Sequence, residues 1–285
     1  MQYINPIKNE NSKVSQTIFR VNGGHNRSTE GYSSGIGLNT ELEFFMRDNS
    51  YISLKCDCTV MRGKNFTETR NFVDAPFIES LAKYNLQLAY YSPRTNKIRP
   101  YVKFGLGTDG YRSDDPSIDL QSESAKLGAG LILTTSTQLR ASLNFFEYQK
   151  QNNWSIWQED NLFGYFEKEM ISSGIDIDWF PGTNQEFRLK AFIYGIRASD
   201  ARAFRVNASG FMTAAIDDLN EFQLSEVAFQ VRYKYEFSPL SNLYVVYTRG
   251  GKSSGALSDS FGNLYSNAWN EQTTDKFIVK IRYKF

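Results

Sequence analysis

The stretch Lys276-Phe277-Ile278-Val279-Lys280-Ile281-Arg282-Tyr283-Lys284-Phe285 places apolar side chains at every second position and basic ones at most positions between them. This period-2 alternation predicts a β-strand with one apolar and one polar face. In a soluble sandwich the apolar face would be core. In a transmembrane barrel it faces lipid, and the basic face lines the lumen.

The same alternation recurs from end to end, and we find no helical periodicity. Short breaks rich in turn residues alternate along the chain with longer polar stretches at about 23–33, 63–78, 109–122, 150–161, 198–222 and 251–273. The predicted strands are 13–22, 34–47, 51–62, 79–91, 98–108, 123–133, 138–149, 162–180, 185–197, 223–237, 243–250 and 274–285.

An even strand count, short turns at one end and long loops at the other are typical of bacterial outer-membrane barrels. A soluble sandwich has no reason to put every long loop at one end. The sequence therefore predicts one all-β domain over residues 1–285, a transmembrane antiparallel up-and-down barrel in the bacterial outer membrane. We expect about twelve strands, or 12–16 if the chain is a fragment. Segment 162–180 is read as one long strand.

Composition excludes several other classes. The 285 residues carry 32 Lys+Arg against 31 Asp+Glu, which gives no electrostatic footprint for nucleic acid. No run approaches the ~20 apolar residues of a membrane-spanning helix. No signal peptide precedes the first strand, although an outer-membrane protein needs one. We therefore read Met1 as a processed end or the edge of a fragment.

Charged residues on the polar faces of the strands form the candidate site. In a hairpin, directly opposed residues have a constant sum of residue numbers, and this pairs Glu41 with Lys55 and Asp176 with Lys190. Opposite charges facing each other stabilise a sheet by roughly 0.2–1 kcal/mol per pair. The residues predicted to line a lumen are Glu41, Lys55, Asp57, Arg140, Asp176, Asp178, Arg188, Lys190, Arg232, Lys234, Glu236, Lys280, Arg282 and Lys284.

A final amphipathic strand that ends in Phe is typical of Gram-negative outer-membrane barrels, whose assembly machinery recognises it. The residues predicted to form this assembly signal are Phe277, Val279, Ile281, Tyr283 and Phe285. The barrel-assembly machinery is therefore an expected partner, together with outer-membrane lipid and lipopolysaccharide.

A more specific resemblance covers about residues 160–285. It rests on Asp178-Trp179-Phe180-Pro181-Gly182, on Phe222-Gln223-Leu224-Ser225-Glu226-Val227 and on the run from Val231 to Gly250. These stretches resemble a Bacteroidota family that joins an N-terminal carbohydrate-binding-like module to a C-terminal barrel of unknown function. The resemblance implies a fold and a location but no catalytic residues.

Other chemistry-bearing residues favour plain structural roles. Cys56 and Cys58 fall on an apolar strand face and match no disulfide or metal pattern. His25, the only histidine, is predicted in the first outer loop near Ser28, Ser33 and Ser34. Its spacing does not match that of outer-membrane phospholipases. We expect solvated loop acids at Asp114, Asp115, Asp217, Asp218 and Glu221, and membrane-interface girdles that include Trp154, Trp157, Trp179 and Trp269.

Three functions follow as hypotheses. The first is a passive channel or transport pore with a mixed-charge lumen that favours anions. The second is a non-conducting anchor whose loops at 198–222 and 251–273 bind an outer-membrane protein partner. The third, an envelope hydrolase based on His25, is the weakest. We expect no enzyme activity, cofactor, metal or nucleic-acid partner.

Overall fold

One large antiparallel sheet dominates the computed structural model, which describes residues 1–27, 33–59, 63–65, 77–136, 138–257 and 260–284. The elements in chain order are β1 Gln2–Pro6, β2 Val14–Arg27, β3 Ser33–Met46, β4 Tyr51–Thr59, β5 Gly63–Asn65, β6 Ile78–Ser80, β7 Lys83–Tyr91, β8 Ile98–Gly110, β9 Gln121–Ser136, β10 Leu139–Glu159, β11 Leu162–Gly182, β12 Gln185–Val206, β13 Met212–Ala214, β14 Phe222–Ser238, β15 Ser241–Gly255, α1 Phe261–Asn270 and β16 Gln272–Arg282.

The strands follow one another around the sheet in chain order. The path is β1-β2-β3-β4-β7-β8-β9-β10-β11-β12-β14-β15-β16, and every neighbouring pair is antiparallel. β13 pairs only with β12, and β5 with β6 forms a separate small sheet. Among the described residues, β1 and β16 each have one neighbour, so the sheet is open between them.

Each of the twelve predicted strands has a counterpart in the sheet, and 162–180 is indeed one strand. Residues 60–62 and Phe285, at the ends of two predicted strands, lie outside the described residues. β1 was not predicted. The prediction of a long loop at 150–161 was wrong, because β10 runs to Glu159 and a turn at 160–161 joins it directly to β11.

The two faces of the sheet differ in polarity. Large apolar side chains remain exposed on one face, including Val102 at 51%, Leu127 at 48% and Val279 at 54%. Exposed apolar patches of this extent mark a surface made for lipid or a partner. No helix in the described part of the chain is long and apolar enough to cross a membrane.

The longest strands project beyond the span that a membrane requires. β10, β11 and β12 have 21, 21 and 22 residues, whereas a transmembrane strand needs about 9–11. At their far end a buried cluster, the distal core, fixes connecting segments onto the β11–β12 hairpin. Its members are Ile78, Leu120, Phe163, Tyr165, Phe204, Val206 and Met212.

The helix α1 was also not predicted, because 251–273 was read as a loop. The Ser260 hydroxyl caps it by accepting a hydrogen bond from the backbone N–H of Asn263 at 3.4 Å. Leu264 and Ala268 are its buried residues. The Ser225 hydroxyl donates to the Leu264 carbonyl at 2.6 Å, which ties α1 to β14.

Candidate functional site

The strand register brings the predicted polar residues onto one face, here called the polar face. On each neighbouring strand, a predicted residue lies opposite another predicted residue or opposite a different residue of the same face. Lys55 is opposite Gln87, for example, and Asp178 is opposite Arg188. Thirteen of the fourteen predicted lumen residues lie on it by register. The fourteenth, Lys284, follows β16, and its backbone N–H donates to the Ser241 hydroxyl at 3.1 Å.

The first charge network crosses β2, β3 and β4. One guanidinium nitrogen of Arg20 lies 2.7 Å from both Glu41 Oε2 and Glu43 Oε2. The Lys55 ammonium lies 2.8 Å from Glu41 Oε1. The predicted pairing of Glu41 with Lys55 is confirmed, and the two acids are balanced by two bases.

The second charge network crosses β11, β12 and β14. Lys190 Nζ lies 2.9 Å from Asp176 Oδ2, and Arg188 Nε lies 3.4 Å from Asp178 Oδ1. Glu186, which the sequence reasoning missed, lies 3.2 Å from Arg232 and also pairs with Arg188. This carboxylate offsets the repulsion between Arg188 and Arg232, which are directly opposed.

The basic residues at the sheet's last strand are arranged differently. Lys280 is opposite Tyr244 and Arg282 is opposite Asn242, so neither faces an acid across the strand pair. In the described part of the chain, no ion pair forms at Lys280 or Arg282. Lys280 and Arg282 therefore place positive charge on the polar face that no ion pair among the described residues compensates.

Two cavities run along the polar face. One, of about 660 Å³, extends from β2 to β10 and is lined by Asn39, Asp57, Asn85, Lys126 and Gln151 among others. The other, of about 710 Å³, extends from β10 to β16 and includes Asp176 and Lys190. Residues on seven successive strands of the sheet can line the first cavity only if that face is concave.

An aromatic ladder at one end of the polar face was not predicted. Phe45, Tyr51, Tyr91 and Tyr101 stack in sequence, with ring centroids 5.8, 4.6 and 5.5 Å apart. Tyr101 then covers Gly130, where a Cβ would collide with its ring. The rings cover one another's faces, so the ladder stiffens four strands. The sum of 96 that opposes Glu41 to Lys55 also opposes Phe45 to Tyr51. The register between Tyr51 and Tyr91 could not be predicted, because a long connection separates β4 from β7.

A family model described as "Domain of unknown function (DUF5916)" matches residues 1–285. The chain belongs to the DUF5916 family. The comparison with curated proteins finds no match.

Solved structures similar to this DUF5916 domain include the copper transporter OprC, with a TM-score of 0.53 and 11% identity. The match covers 92% of this chain and 42% of the transporter. LpxR from Salmonella typhimurium is also found, with a TM-score of 0.30, 10% identity and coverage of 79% of this chain and 89% of that protein. The likeness to OprC shows the fold, an antiparallel up-and-down sheet of the outer-membrane β-barrel type.

The two cysteines are free in this DUF5916 domain, and both lie on the face opposite the polar face. His25 lies in β2 opposite Ile36, so its prediction in a loop was wrong. The strand continues through Gly23 and Gly24, which pair with Leu38 and Gly37 of β3. Ser28 lies outside the described residues, as do the side chains of Ser33 and Ser34.

The loop acids are separated rather than clustered. Asp114 accepts from the Thr213 hydroxyl at 2.6 Å, Asp115 from the Ser117 hydroxyl at 2.7 Å, and Glu221 from the backbone N–H of Asp200 at 2.7 Å. In the residues that the structure describes, no three or more metal-ligating side chains gather. The acids in these loops therefore form hydrogen bonds within turns and between connecting segments.

The tryptophans occupy different environments. Trp154 lies on the polar-face side of β10, with Lys168 Nζ 4.7 Å from its ring centre. Trp157 donates to the Asp160 carbonyl at 2.8 Å, and Trp179 packs edge-on against Phe187. Trp269 lies on α1 under Arg249 at 4.6 Å. Membrane girdles stay a prediction.

The predicted assembly signal is only partly described. Phe277, Val279, Ile281 and Tyr283 are exposed, and Phe277, Val279 and Ile281 lie on the apolar face of β16. Phe285 lies outside the described residues. Recognition by assembly machinery stays a prediction.

A bidentate ion pair fixes the segment after β13. Asp217 accepts from Arg205 Nε at 3.0 Å and from Arg205 Nη2 at 2.7 Å. These hydrogen bonds lower the pKa of Asp217 below its ordinary value. Because the folded pKa is depressed, the pair's contribution is present above the ordinary aspartate pKa of about 3.9 and is lost as pH falls through the folded value.

We expect Asp217→Asn to increase protease cleavage in 215–221 at neutral pH and to have no effect well below pH 3. Asp218→Asn is the matched control, because the structure gives Asp218 no ion pair. Limited proteolysis across pH measures the difference. Equal cleavage of both variants at neutral pH would contradict a role for the pair.

Proposed function

We propose that this chain lies in the bacterial outer membrane and forms the wall of a passive channel for small charged solutes. One observation carries the proposal. The polar face is continuous and concave from Arg20 on β2 to Lys280 on β16, while the opposite face exposes large apolar residues. This is the arrangement of a water-filled barrel in lipid.

The ends of the barrel are assigned from its connections. Turns at 47–50, 92–97, 183–184 and 239–240 join strands at one end, which we assign to the periplasm. The extended parts of β10–β12 and the distal core then lie outside the cell. In these extended parts of β10–β12, apolar and polar residues do not alternate as they do on strands that face lipid. Both faces of the strands contact water or connecting segments.

The channel's selectivity follows from its charge pattern. The networks around Glu41 and around Glu186 are balanced, so they contribute little net field. Lys280 and Arg282 are not balanced, so the field along β16 favours anions. In water, a unit charge about 4 Å from a passing ion changes the free energy of that ion by about 1 kcal/mol. This corresponds to a roughly fivefold change in the population of the ion at that place.

We expect Lys280→Glu/Arg282→Glu to lower the anion-to-cation permeability ratio by about fivefold or more, since two charges are reversed. Permeability is measured from reversal potentials in a planar bilayer under a salt gradient. Lys150→Glu is the control, because Lys150 lies on the opposite face of β10. If the double variant does not assemble, Lys234→Gln makes the same test from β14.

An unchanged ratio in both variants would contradict the selectivity. Failure of a folded, heat-modifiable protein to conduct at all would contradict the channel.

The anchor function is the second candidate, and the distal core favours it. A buried cluster beyond the membrane span gives the outer segments a fixed shape, as a partner-binding surface needs. Deletion of 207–221 should then abolish retention of a partner without affecting assembly. Unchanged retention would count against the anchor.

The proposal includes no catalytic step, cofactor or metal. Lipid and lipopolysaccharide are the expected surroundings, and the barrel-assembly machinery is the expected partner of β16. A hydrolase based on His25 would be supported only if His25→Ala abolished a detectable activity.

A further inference from the structure

Three connecting segments meet at the end of the sheet that the proposed function assigns to the outside of the cell. They are 77–82, which leads into β7, 111–120, which follows β8, and 207–214, which follows β12. Together they are called the outer lid. The inference drawn from them rests on the proposed lumen and its orientation, because a lid has a function only over an opening.

Main-chain hydrogen bonds join the three segments of the outer lid. The N–H of Glu79 donates to the Gly210 carbonyl at 2.8 Å, and the N–H of Arg112 donates to the Glu79 carbonyl at 2.9 Å. The N–H of Met212 then donates to the Arg112 carbonyl at 2.8 Å. Ile78 and Met212 are also fully buried members of the distal core. The lid is therefore one packed unit that is fixed to the β11–β12 hairpin.

This unit crosses the concave side of the sheet. The strands β7 and β12 are separated by β8, β9, β10 and β11. Five strand spacings of roughly 4.8 Å place them about 24 Å apart along the sheet. The segments at their outer ends are nevertheless in hydrogen-bond contact through Glu79 and Gly210. The shortest route between two strands of a curved sheet passes over its concave side, which here is the polar face.

Two of the lid segments leave the sheet at the rim of the larger charged cavity's neighbour, the cavity of about 660 Å³ between β2 and β10. Lys83, which directly follows 77–82, lines this cavity. Asp109, at the end of β8 and just before 111–120, lines it as well. The lid therefore begins where the cavity ends on its outer side.

The start of β11 is enclosed on both faces. Leu162–Phe166 are five consecutive buried residues. Phe163 packs in the distal core with residues of the lid. Phe166 points to the opposite face, where its ring centroid lies 6.5 Å from that of Trp154 and 5.3 Å from that of Phe222. A hairpin tip that projected freely into water would leave one face exposed, so this tip lies within the packed outer end of the molecule.

We infer that the outer lid covers the outer mouth of the lumen and limits the entry of solutes from outside. Its displacement leaves the neighbour pairs from β7 to β12 intact, because the lid consists of connections between these strands. The hydroxyl of Tyr165 is buried beneath the lid with no hydrogen-bond partner in the described residues. Opening returns this hydroxyl to water, which offsets part of the apolar contact that is lost.

Labelling of a lumen cysteine from outside intact cells tests whether the mouth is covered. Cys56 and Cys58 are first replaced by Ser, and Asn85→Cys places a thiol on the wall of the 660 Å³ cavity. The reagent is a membrane-impermeant maleimide that carries a short polyethylene glycol. Met212→Asp then displaces the lid, because a carboxylate without a partner is costly to bury in the distal core.

Ala214→Asp is the matched control, because it adds the same charge to the same short strand, β13, at an exposed position. We expect Asn85→Cys to react several times faster in the Met212→Asp background than in the native or the Ala214→Asp background. Single-channel conductance in a planar bilayer should rise several-fold in Met212→Asp alone. If Met212→Asp does not assemble, Leu120→Asp makes the same test, because Leu120 is a buried lid residue of the distal core.

Equal labelling rates in all three backgrounds would overturn the inference and leave the channel proposal standing in a protein that conducts. Faster labelling in Met212→Asp, with no conductance in any background, would support the lid and overturn the channel proposal.

Discussion

Phe163→Ala is expected to open the distal core while leaving the membrane part of the barrel folded. Phe163 is 1% exposed and packs with segments that are far apart in sequence, including Leu120 and Met212. Large-to-small replacement of a buried Phe costs about 3–5 kcal/mol. Hydrogen exchange reports local opening, so amides around Leu120 and Met212 should exchange at least a hundredfold faster.

Ile216→Ala is the matched control for this change. Ile216 is fully exposed and lies in the same outer region, so truncating its apolar side chain should leave exchange unchanged. Heat-modifiability should persist in both variants, because the distal core lies at the far end of the β11–β12 hairpin and not in the rest of the sheet. Equal exchange in Phe163→Ala and the native protein would show that the cluster does not hold these segments.

Gly251→Ala is expected to displace α1 from the sheet. A Cβ at residue 251 would overlap the carbonyl oxygen of Ala268 and lie 3.1 Å from that of Glu271. Both contacts are with backbone, so neither can be relieved by rotating a side chain. Overpacking of this kind costs about 1–3 kcal/mol. Faster hydrogen exchange in 261–270 and at Lys252, whose N–H donates to the Glu271 carbonyl at 3.2 Å, is the measurement.

The control is Gly255→Ala on the same strand, where an added Cβ meets nothing within 4 Å. Both substitutions replace a glycine of β15 by alanine, so a difference in exchange between them reports on the contact between residue 251 and α1. If residues 261–270 are equally protected from hydrogen exchange in both variants, the helix tolerates a shift at this contact.

Much of the polar face could be predicted because strand geometry is periodic. Once a tight turn is placed, a constant sum predicts which residues are opposed, and a sum of 366 around the turn at 181–185 gives Asp178 with Arg188. Next to the turn, Gly182 pairs with Gln185 at a sum of 367, and an irregularity between Trp179 and Gly182 restores the predicted register. The same arithmetic could not find Arg20 beside Glu41, because the sequence predicted the connection between β2 and β3 as a long loop at 23–33, and a loop of that length does not fix the register.

The failures share a physical cause. At the far ends of the long strands the alternation of apolar and polar residues weakens, so 150–159 looks like a loop although it is strand. Asn153 and Asp160 adopt positive φ of 46° and 44°, which forms a kink and a turn within this hairpin. The helix had a signal that was missed, since Phe261, Leu264, Tyr265 and Ala268 follow a Ser at helical spacing.

The sequence by itself determined where the strands lie, which of their residues share the polar face and that neighbouring strands are antiparallel. These features depend on local alternation and on short turns. Only the tertiary structure decided which polar residues balance one another, how distant segments meet in the distal core and where α1 lies. These features depend on contacts between residues far apart in the chain, which no local pattern encodes.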